Sequence, residues 1–193
     1  RELNKFHRYT NINWITPGGA VLLDTFIKQN FNRKDVDTVF YTQKGYPILK
    51  YSNDSLLTKS LRDNYSMNKA LVRDAYELYK NKNLSQVTKV NSYSYYWSGV
   101  DGAFGQGTAA GITTIRVDKK NKIIKADIIV LDNWDHSKKV AIPKTFYSYA
   151  YILQQSGRKK TFGYLANYTI EIPIDDLNTK IRGYGYGIRN ADI

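Results

Sequence analysis

The sequence predicts an α+β fold, with a curved, half-barrel-like antiparallel sheet in the C-terminal half and a mixed, helix-containing N-terminal half. Two observations predict this arrangement. Apolar residues recur at helical spacing up to Lys80, whereas beyond Gln86 they alternate with polar residues, as in strands with one buried face. A polar stretch separates the two patterns. We therefore expect residues 1–85 and residues 86–193 to form two regions, either as separate domains or packed as one compact unit.

The composition limits the chemistry of any site. With 42% hydrophobic residues, the chain of 193 residues can bury a core. It has no cysteine, which excludes disulfides, cysteine metal sites and thiol nucleophiles. Its two histidines, His7 and His136, are too few for a three-histidine zinc site.

The charge and the tyrosines indicate polyanionic or interfacial partners. The formal net charge is +12, and such a surface favours nucleic acid, anionic lipid or a pyrophosphate. The 17 tyrosines suit binding surfaces and membrane interfaces, although tyrosine is also common in strands.

The N-terminal half is predicted to contain short elements between turn signals. In order, these are a helix over Ala20–Phe31, a strand over Asp37–Thr42, a short strand around Ile48–Tyr51 and a two-part helical region over Asn53–Lys80. Ser66 is the candidate N-cap of the second helical part.

The C-terminal half opens with an alternating segment, Val87–Trp97, and a glycine-rich stretch from residue 99 to residue 111. The glycines lead into a strand and lack the Gly-Lys-Ser/Thr ending of a phosphate-binding loop, so a bulged connection in a curved sheet is the better interpretation. A hairpin follows, with strands Ile112–Val117 and Ile123–Leu131 around the turn Asp118–Asn121.

The return strand of this hairpin has apolar residues on both faces. One face carries Ile124, Ala126, Ile128 and Val130, and the other carries Ile123, Ile129 and Leu131. We therefore expect the end of the strand to be buried on both sides.

A helix over Thr145–Gln155 and a strand over Tyr164–Ile174 are predicted further along the chain. Gly157 stands where the C-terminus of a helix favours glycine. The basic run Arg158–Lys160 is interpreted either as a solvated turn or as a contact for an anion.

The segment Asp132–His136 concentrates two carboxylates, an indole and an imidazole at the end of the return strand, and Lys138 and Lys139 follow it. A strand-end turn would explain the Asp and Asn residues, because both bond their own backbone in turns. A metal or phosphate site would explain the whole set, since a carboxylate at the rim of a buried strand is partly desolvated. For Asp132 and Asp135 to converge, the chain must turn at Asn133–Trp134.

The order of these features resembles the catalytic domain of the colicin M family. The match covers roughly residues 93–176, with an aromatic segment, a glycine-rich loop, a hairpin, Asp-x-aromatic-Asp, a short helix and a strand. Asp132 and Asp135 fall on the two aspartates of the family motif, and Trp134 falls on its tyrosine. The family's His-Arg pair has no counterpart, because the corresponding residues are Val140–Pro143.

The resemblance implies an antibacterial toxin domain that hydrolyses lipid II between the undecaprenyl chain and the pyrophosphate. It would be secreted or delivered by a bacterium and would act with Mg²⁺ in the periplasm of the target cell. On this hypothesis the metal ligands are Asp132 and Asp135, and both act in catalysis with His136. The substrate-binding residues are Trp134, Lys138, Lys139 and Arg158. The expected partners are the lipid-linked pyrophosphate, the membrane surface and an immunity protein.

Two other functions fit part of the sequence. A basic, metal-dependent nuclease toxin would use the same carboxylates and the same charge, although the sequence has no recognised nucleic-acid-binding motif. A non-enzymatic module that binds glycans or anionic lipid would depend on the tyrosines and would tolerate substitution of Asp132.

Overall fold

A computed structural model describes residues 17–81, 83–96, 108–134 and 151–186. Its helices are α1 (Pro17–Lys28), α2 (Leu56–Arg62), α3 (Tyr65–Lys80) and α4 (Ile174–Gly183), and residues 151–155 are also helical. Its strands are β1 (Val36–Tyr41), β2 (Pro47–Tyr51), β3 (Gln86–Tyr96), β4 (Thr108–Asp118), β5 (Ile123–Trp134) and β6 (Phe162–Pro173). None of the helices within these ranges is long and apolar enough to cross a bilayer.

The strands form one six-stranded sheet in the order β1-β2-β6-β5-β4-β3. Neighbouring strands are antiparallel except β2 and β6, which are parallel. The predicted α+β class is confirmed, and the sheet is open, as a curved half-barrel requires. Because β2 pairs with β6, a single sheet contains strands from both sides of the predicted boundary at residues 85 and 86.

The helices pack on one face of the sheet, which we call the inner face. Helix α3 contacts β3 and β4, while α2 and α4 contact β6. Helix α1 reaches β5 through the ring of Phe26, which lies against that of Trp134. The hydrophobic core therefore lies between these helices and the inner face.

Strand β5 shows how the sequence selects this face. The predicted core positions Ile124, Ala126, Ile128 and Val130 are all buried on the inner face, as their spacing of two requires. The expectation of burial on both sides is wrong, because Ile129 and Leu131 on the outer face are 41% and 52% exposed. Alternation identifies the two faces of a strand but does not show how many of them are covered.

Side-chain caps set the start of α2 and α3. The predicted two-part helix is confirmed, but its second part begins after Asn64, whose side chain accepts a hydrogen bond from the Met67 backbone N–H at 3.0 Å. Ser66, the predicted N-cap, lies inside α3. Ser55 caps α2 in the same way by accepting from the Thr58 N–H.

A buried ion pair ties α3 to the edge strand of the sheet. The carboxylate of Asp74 is almost fully buried on α3, and the ammonium of Lys89 on β3 lies 2.7 Å from it. A buried carboxylate is costly unless it is paired, so this contact fixes how α3 lies against β3.

Tyr51 is a buried ionisable residue at the junction of α1 and β2. Its hydroxyl lies 3.1 Å from that of Thr25, and burial raises the pKa of Tyr51 to about 12. The folded state therefore holds the neutral phenol, whereas the unfolded chain loses that proton near pH 10. The stabilising effect is complete below pH 10 and is lost as the pH rises towards 12.

We predict that Tyr51→Phe reduces the alkaline loss of stability. Between pH 10 and pH 12 the free energy of unfolding should fall less in this variant than in the wild type, by about 2 kcal/mol. Urea denaturation at several pH values measures the difference. Tyr41→Phe is the control, because that side chain is 65% exposed and should leave the pH dependence as in the wild type. Equal alkaline losses in Tyr51→Phe and the wild type would contradict the prediction.

Candidate active site

Strand β5 does not end at Leu131 as predicted but continues through Trp134. Asp132 pairs with Tyr164, Asn133 with Gly163, and Trp134 with Phe162. The predicted turn at Asn133–Trp134 is therefore wrong, because β6 begins early enough to supply backbone partners for these residues. For the carboxylates of Asp132 and Asp135 to converge, any turn must come after Trp134.

The side chain of Asp132 lies on the inner face, in line with the buried residues of β5. On that face its neighbours along the strand are Val130 and Trp134, both buried, whereas Asp132 itself is partly exposed. The hydroxyl of Tyr164 donates to Oδ2 of Asp132 at 3.4 Å, and the Asn133 backbone N–H donates to Oδ1 at 2.8 Å. Two donors thus orient the carboxylate of a residue that is only partly buried.

Asn133 lies on the opposite face of the same strand. Its Oδ1 accepts a hydrogen bond from the hydroxyl of Tyr46 at 3.4 Å, and it pairs across the ladder with Gly163. Any side-chain Cβ at position 163 would lie 3.1 Å from Cγ1 of Ile48. The two neighbours Asp132 and Asn133 therefore serve different faces and do not form one site.

The indole of Trp134 is part of the core. It is 6% exposed, and its ring lies 4.8 Å from that of Phe26 and 5.7 Å from that of Phe162, measured between centroids. This position favours a packing role over the predicted contact with substrate. Because Trp134 is two residues from Asp132 on the same face, its packing against α1 also holds the backbone that carries the carboxylate.

The basic run Arg158–Lys160 is divided between two roles. The ammonium of Lys159 donates to the carbonyl of Ile27 near the end of α1. Gln29 exchanges two hydrogen bonds with the backbone of Lys160, at 2.8 and 3.1 Å. Lysine near a helix C-terminus meets carbonyls without helical partners, so Lys159 stabilises the end of α1.

Arg158 stays exposed and follows Gly157, whose φ of +69° ends the helical stretch as predicted. The strand that begins at Phe162 pairs with Trp134, which places this loop at the same end of the sheet as Asp132. Of the predicted site residues that the structure describes, Arg158 and Asp132 are thus brought to one end of the molecule.

The other predicted site residues, Asp135, His136, Lys138 and Lys139, lie outside the described residues. Residues 97–107 and 135–150, which include most of the glycine-rich stretch and most of the predicted helix, lie outside them as well. Tyr164 was missed by sequence reasoning, because the ladder that brings it to Asp132 joins residues 32 positions apart.

The fit of a metal ion can be judged from Asp132. Within the part of the chain that the structure describes, no group of three or more His, Cys, Asp or Glu residues could hold a metal. Mg²⁺ needs fewer protein ligands, since it binds through one or two carboxylates and completes its shell with waters and substrate phosphates. The carboxylate of the partly exposed Asp132 fits that pattern and suits Mg²⁺ better than a soft metal.

No protein-family model, curated protein or solved structure matches this chain. The likeness to the colicin M family therefore depends on the order of motifs in the sequence and stays a prediction.

We predict that Trp134→Ala destabilises the fold by about 3–5 kcal/mol, as expected for removal of a buried aromatic ring. Chemical denaturation measures this cost. Arg158→Ala is the control, because that residue is exposed and its loss should change the free energy of unfolding by less than about 0.5 kcal/mol. A Trp134→Ala variant with wild-type stability would mean that the indole serves a surface and not the core.

Proposed function

We propose that this chain is an antibacterial toxin domain that hydrolyses lipid II at the linkage between the undecaprenyl chain and the pyrophosphate. The observation that carries the proposal is the position of Asp132. This carboxylate belongs to a partly exposed residue on the helix-covered face of an open sheet, between buried neighbours, and it is oriented by the hydroxyl of Tyr164. Asp127, by contrast, lies on the outer face, where it is paired with Arg116.

The reaction requires water to attack a phosphoester whose oxygens carry negative charge. A partly buried carboxylate can orient a water molecule or hold a hard cation. In this proposal Asp132 would hold Mg²⁺, with Asp135 as the second carboxylate, and the ion would supply charge neutralisation at the phosphoryl oxygens. Tyr164 keeps the Asp132 carboxylate in one orientation.

Proton transfer is assigned to His136, on sequence grounds. It is one of two histidines in the chain, and an imidazole exchanges a proton near neutral pH. His7 is far from the motif in sequence. Arg158 is exposed near the end of the sheet that carries Asp132. Arg158 is proposed to meet the pyrophosphate together with Lys138 and Lys139, which follow the motif in the sequence, since cations offset its charge.

The net charge of +12 supports a substrate held at an anionic surface. Lipid II presents its pyrophosphate at the membrane, so we propose action at the membrane surface of the target cell's periplasm. An immunity protein that protects the producing cell is a proposed partner. A nuclease toxin could use the same carboxylate and charge, and the compartment in which the chain is toxic separates the two functions.

We predict that the chain is toxic to bacteria when exported to the periplasm and harmless in the cytoplasm. Induction of the same coding sequence with and without an export signal, followed by viable counts and microscopy for lysis, provides the measurement. If the cytoplasmic protein killed the cells and the exported protein had no effect, a nuclease function would be favoured over lipid II hydrolysis.

We predict that Asp132→Asn lowers the rate of lipid II hydrolysis by about 100-fold or more without lowering the melting temperature substantially. The substitution preserves volume and removes one charge from a site that is not fully buried. Hydrolysis of purified lipid II in the presence of magnesium is the assay.

Asp127→Asn is the matched control, because Asp127 lies on the same strand but faces the other side of the sheet, where it pairs with Arg116. It should keep wild-type turnover. If Asp132→Asn and Asp127→Asn were equally active, Asp132 would have no catalytic role. If toxicity survived in Asp132→Asn, a non-enzymatic binding function would be favoured.

A further inference from the structure

A cavity of about 290 Å³ lies between α3, α4 and β6, at the opposite end of β6 from the residue that pairs with Asp132. Its walls include Leu71 and Val72 of α3, residues 169–172 of β6, Lys180 of α4 and Tyr184, which follows α4. Asp132 pairs with Tyr164, whereas the stretch that lines this cavity pairs with residues 124–127, so the cavity is separate from Asp132.

The cavity opens on the backbone edge of β6. Four consecutive residues, Thr169, Ile170, Glu171 and Ile172, line it, although alternate side chains of a strand point to opposite faces. Consecutive residues can share one cavity only if it contacts the edge of the strand. One edge of β6 pairs with β5, and the other pairs with β2 only from Gly163 to Ala166. From residue 167 to residue 173, that second edge pairs with no strand in the described ranges.

Two of the residues that line the cavity carry a buried polar atom with no hydrogen-bond partner among the described residues. These atoms are Nε of Arg62, a donor, and Oδ1 of Asn68, an acceptor. The orientation of Asn68 is fixed, because its Nδ2 donates to the Arg62 carbonyl at 2.8 Å. A buried polar group without a partner is costly, so a ligand group that bonded either atom would offset that cost.

The charge at the cavity is positive. Arg62 and Lys180 line it, and neither forms an ion pair with any described residue. The carboxylate of Glu171 is already bonded to Lys125 at 2.9 Å. The guanidinium of Arg62 lies over the ring of Tyr168, 5.6 Å from its centroid, which holds it at the cavity. A carboxylate is the charge that complements this pair of cations.

We propose that this cavity binds a short extended peptide with a free C-terminal carboxylate, which adds a strand to the edge of β6. The peptide backbone pairs with residues 169–172, and its terminal carboxylate meets Arg62 and Lys180. Four residues of β6 span about 13 Å, which matches a peptide of about four residues at 3.3 Å per residue. Leu71, Val72 and the ring of Tyr184 provide an apolar wall for its side chains.

The experiment uses the whole chain and fluorescein-labelled tetrapeptides of alternating valine and alanine, with fluorescence polarisation as the readout. Saturable binding with a Kd of about 1 mM or tighter is expected. Amidation of the C-terminus should weaken binding by about tenfold or more, because it removes a charge-assisted hydrogen bond. No binding by any of these peptides, or equal binding of acid and amide, overturns the proposal.

Protein variants locate the site. Lys180→Gln and Arg62→Gln should each weaken binding of the acid peptide. The affinity for the amide peptide should change little in either variant. Lys180 is exposed on α4, so its variant keeps the test valid if loss of Arg62 affects folding. Arg182→Gln is the matched control, since Arg182 is on the same helix but not among the residues that line the cavity. If Arg182→Gln and Lys180→Gln weakened peptide binding equally, the effect would come from the net charge of the protein and not from the cavity. That result would overturn the proposal.

Alternate N-methylation tests the strand pairing. Successive N–H groups of an extended peptide point in opposite directions, so only one of two alternating methylation patterns should abolish binding. An equal effect of the two patterns, or displacement of the peptide by free acetate at a similar concentration, would show a simple carboxylate pocket and overturn the added strand.

Discussion

The pairing of β5 with β6 is the constraint on which the rest of the structure depends. The two strands are in register from Ile123 with Pro173 to Trp134 with Phe162. Strands β1 and β2 join the sheet only through β6, and β3 and β4 join it only through β5. Loss of this ladder would therefore divide the sheet into two three-stranded parts, β1-β2-β6 and β5-β4-β3. The helices would be divided with it, since α3 contacts β3 and β4 whereas α2 and α4 contact β6.

The sequence pattern predicted an element correctly where the contacts that determine it join residues close together in the chain. The hairpin of β4 and β5 has its turn at Asp118–Asn121, where Asp118 accepts hydrogen bonds from both nitrogens of Asn121, as the sequence indicates. The end of β5 could not be found in this way. Asp132 and Asn133 are turn-forming residues, yet both lie in a ladder with a strand some 30 residues further along the chain. The parallel pairing of β2 with β6 joins residues still further apart, beyond the reach of any local pattern.

The faces of the sheet show the same limit. The inner face of β5 was predicted residue by residue, but the exposure of Ile129 and Leu131 depends on where helices from the N-terminal half settle. Val90 and Ile112 continue this exposed apolar row across β3 and β4. The motif was predicted as a unit, and the structure distributes its described part over both faces, with Asp132 inward, Asn133 outward and Trp134 in the core.

The positive charge of the chain is also less uniform than its total indicates. Lys89 and Arg33 bind buried or half-buried carboxylates, and Lys159 binds the carbonyl of Ile27, so these cations serve the fold. Three other cations form no ion pairs with described residues. Arg158 lies near one end of β6, and Arg62 and Lys180 lie near the other. The same ladder that aligns Asp132 with Tyr164 thus separates two cationic regions by the length of one strand. Because the two regions share a rigid strand and no side chains, substitutions in one should add to those in the other with little coupling.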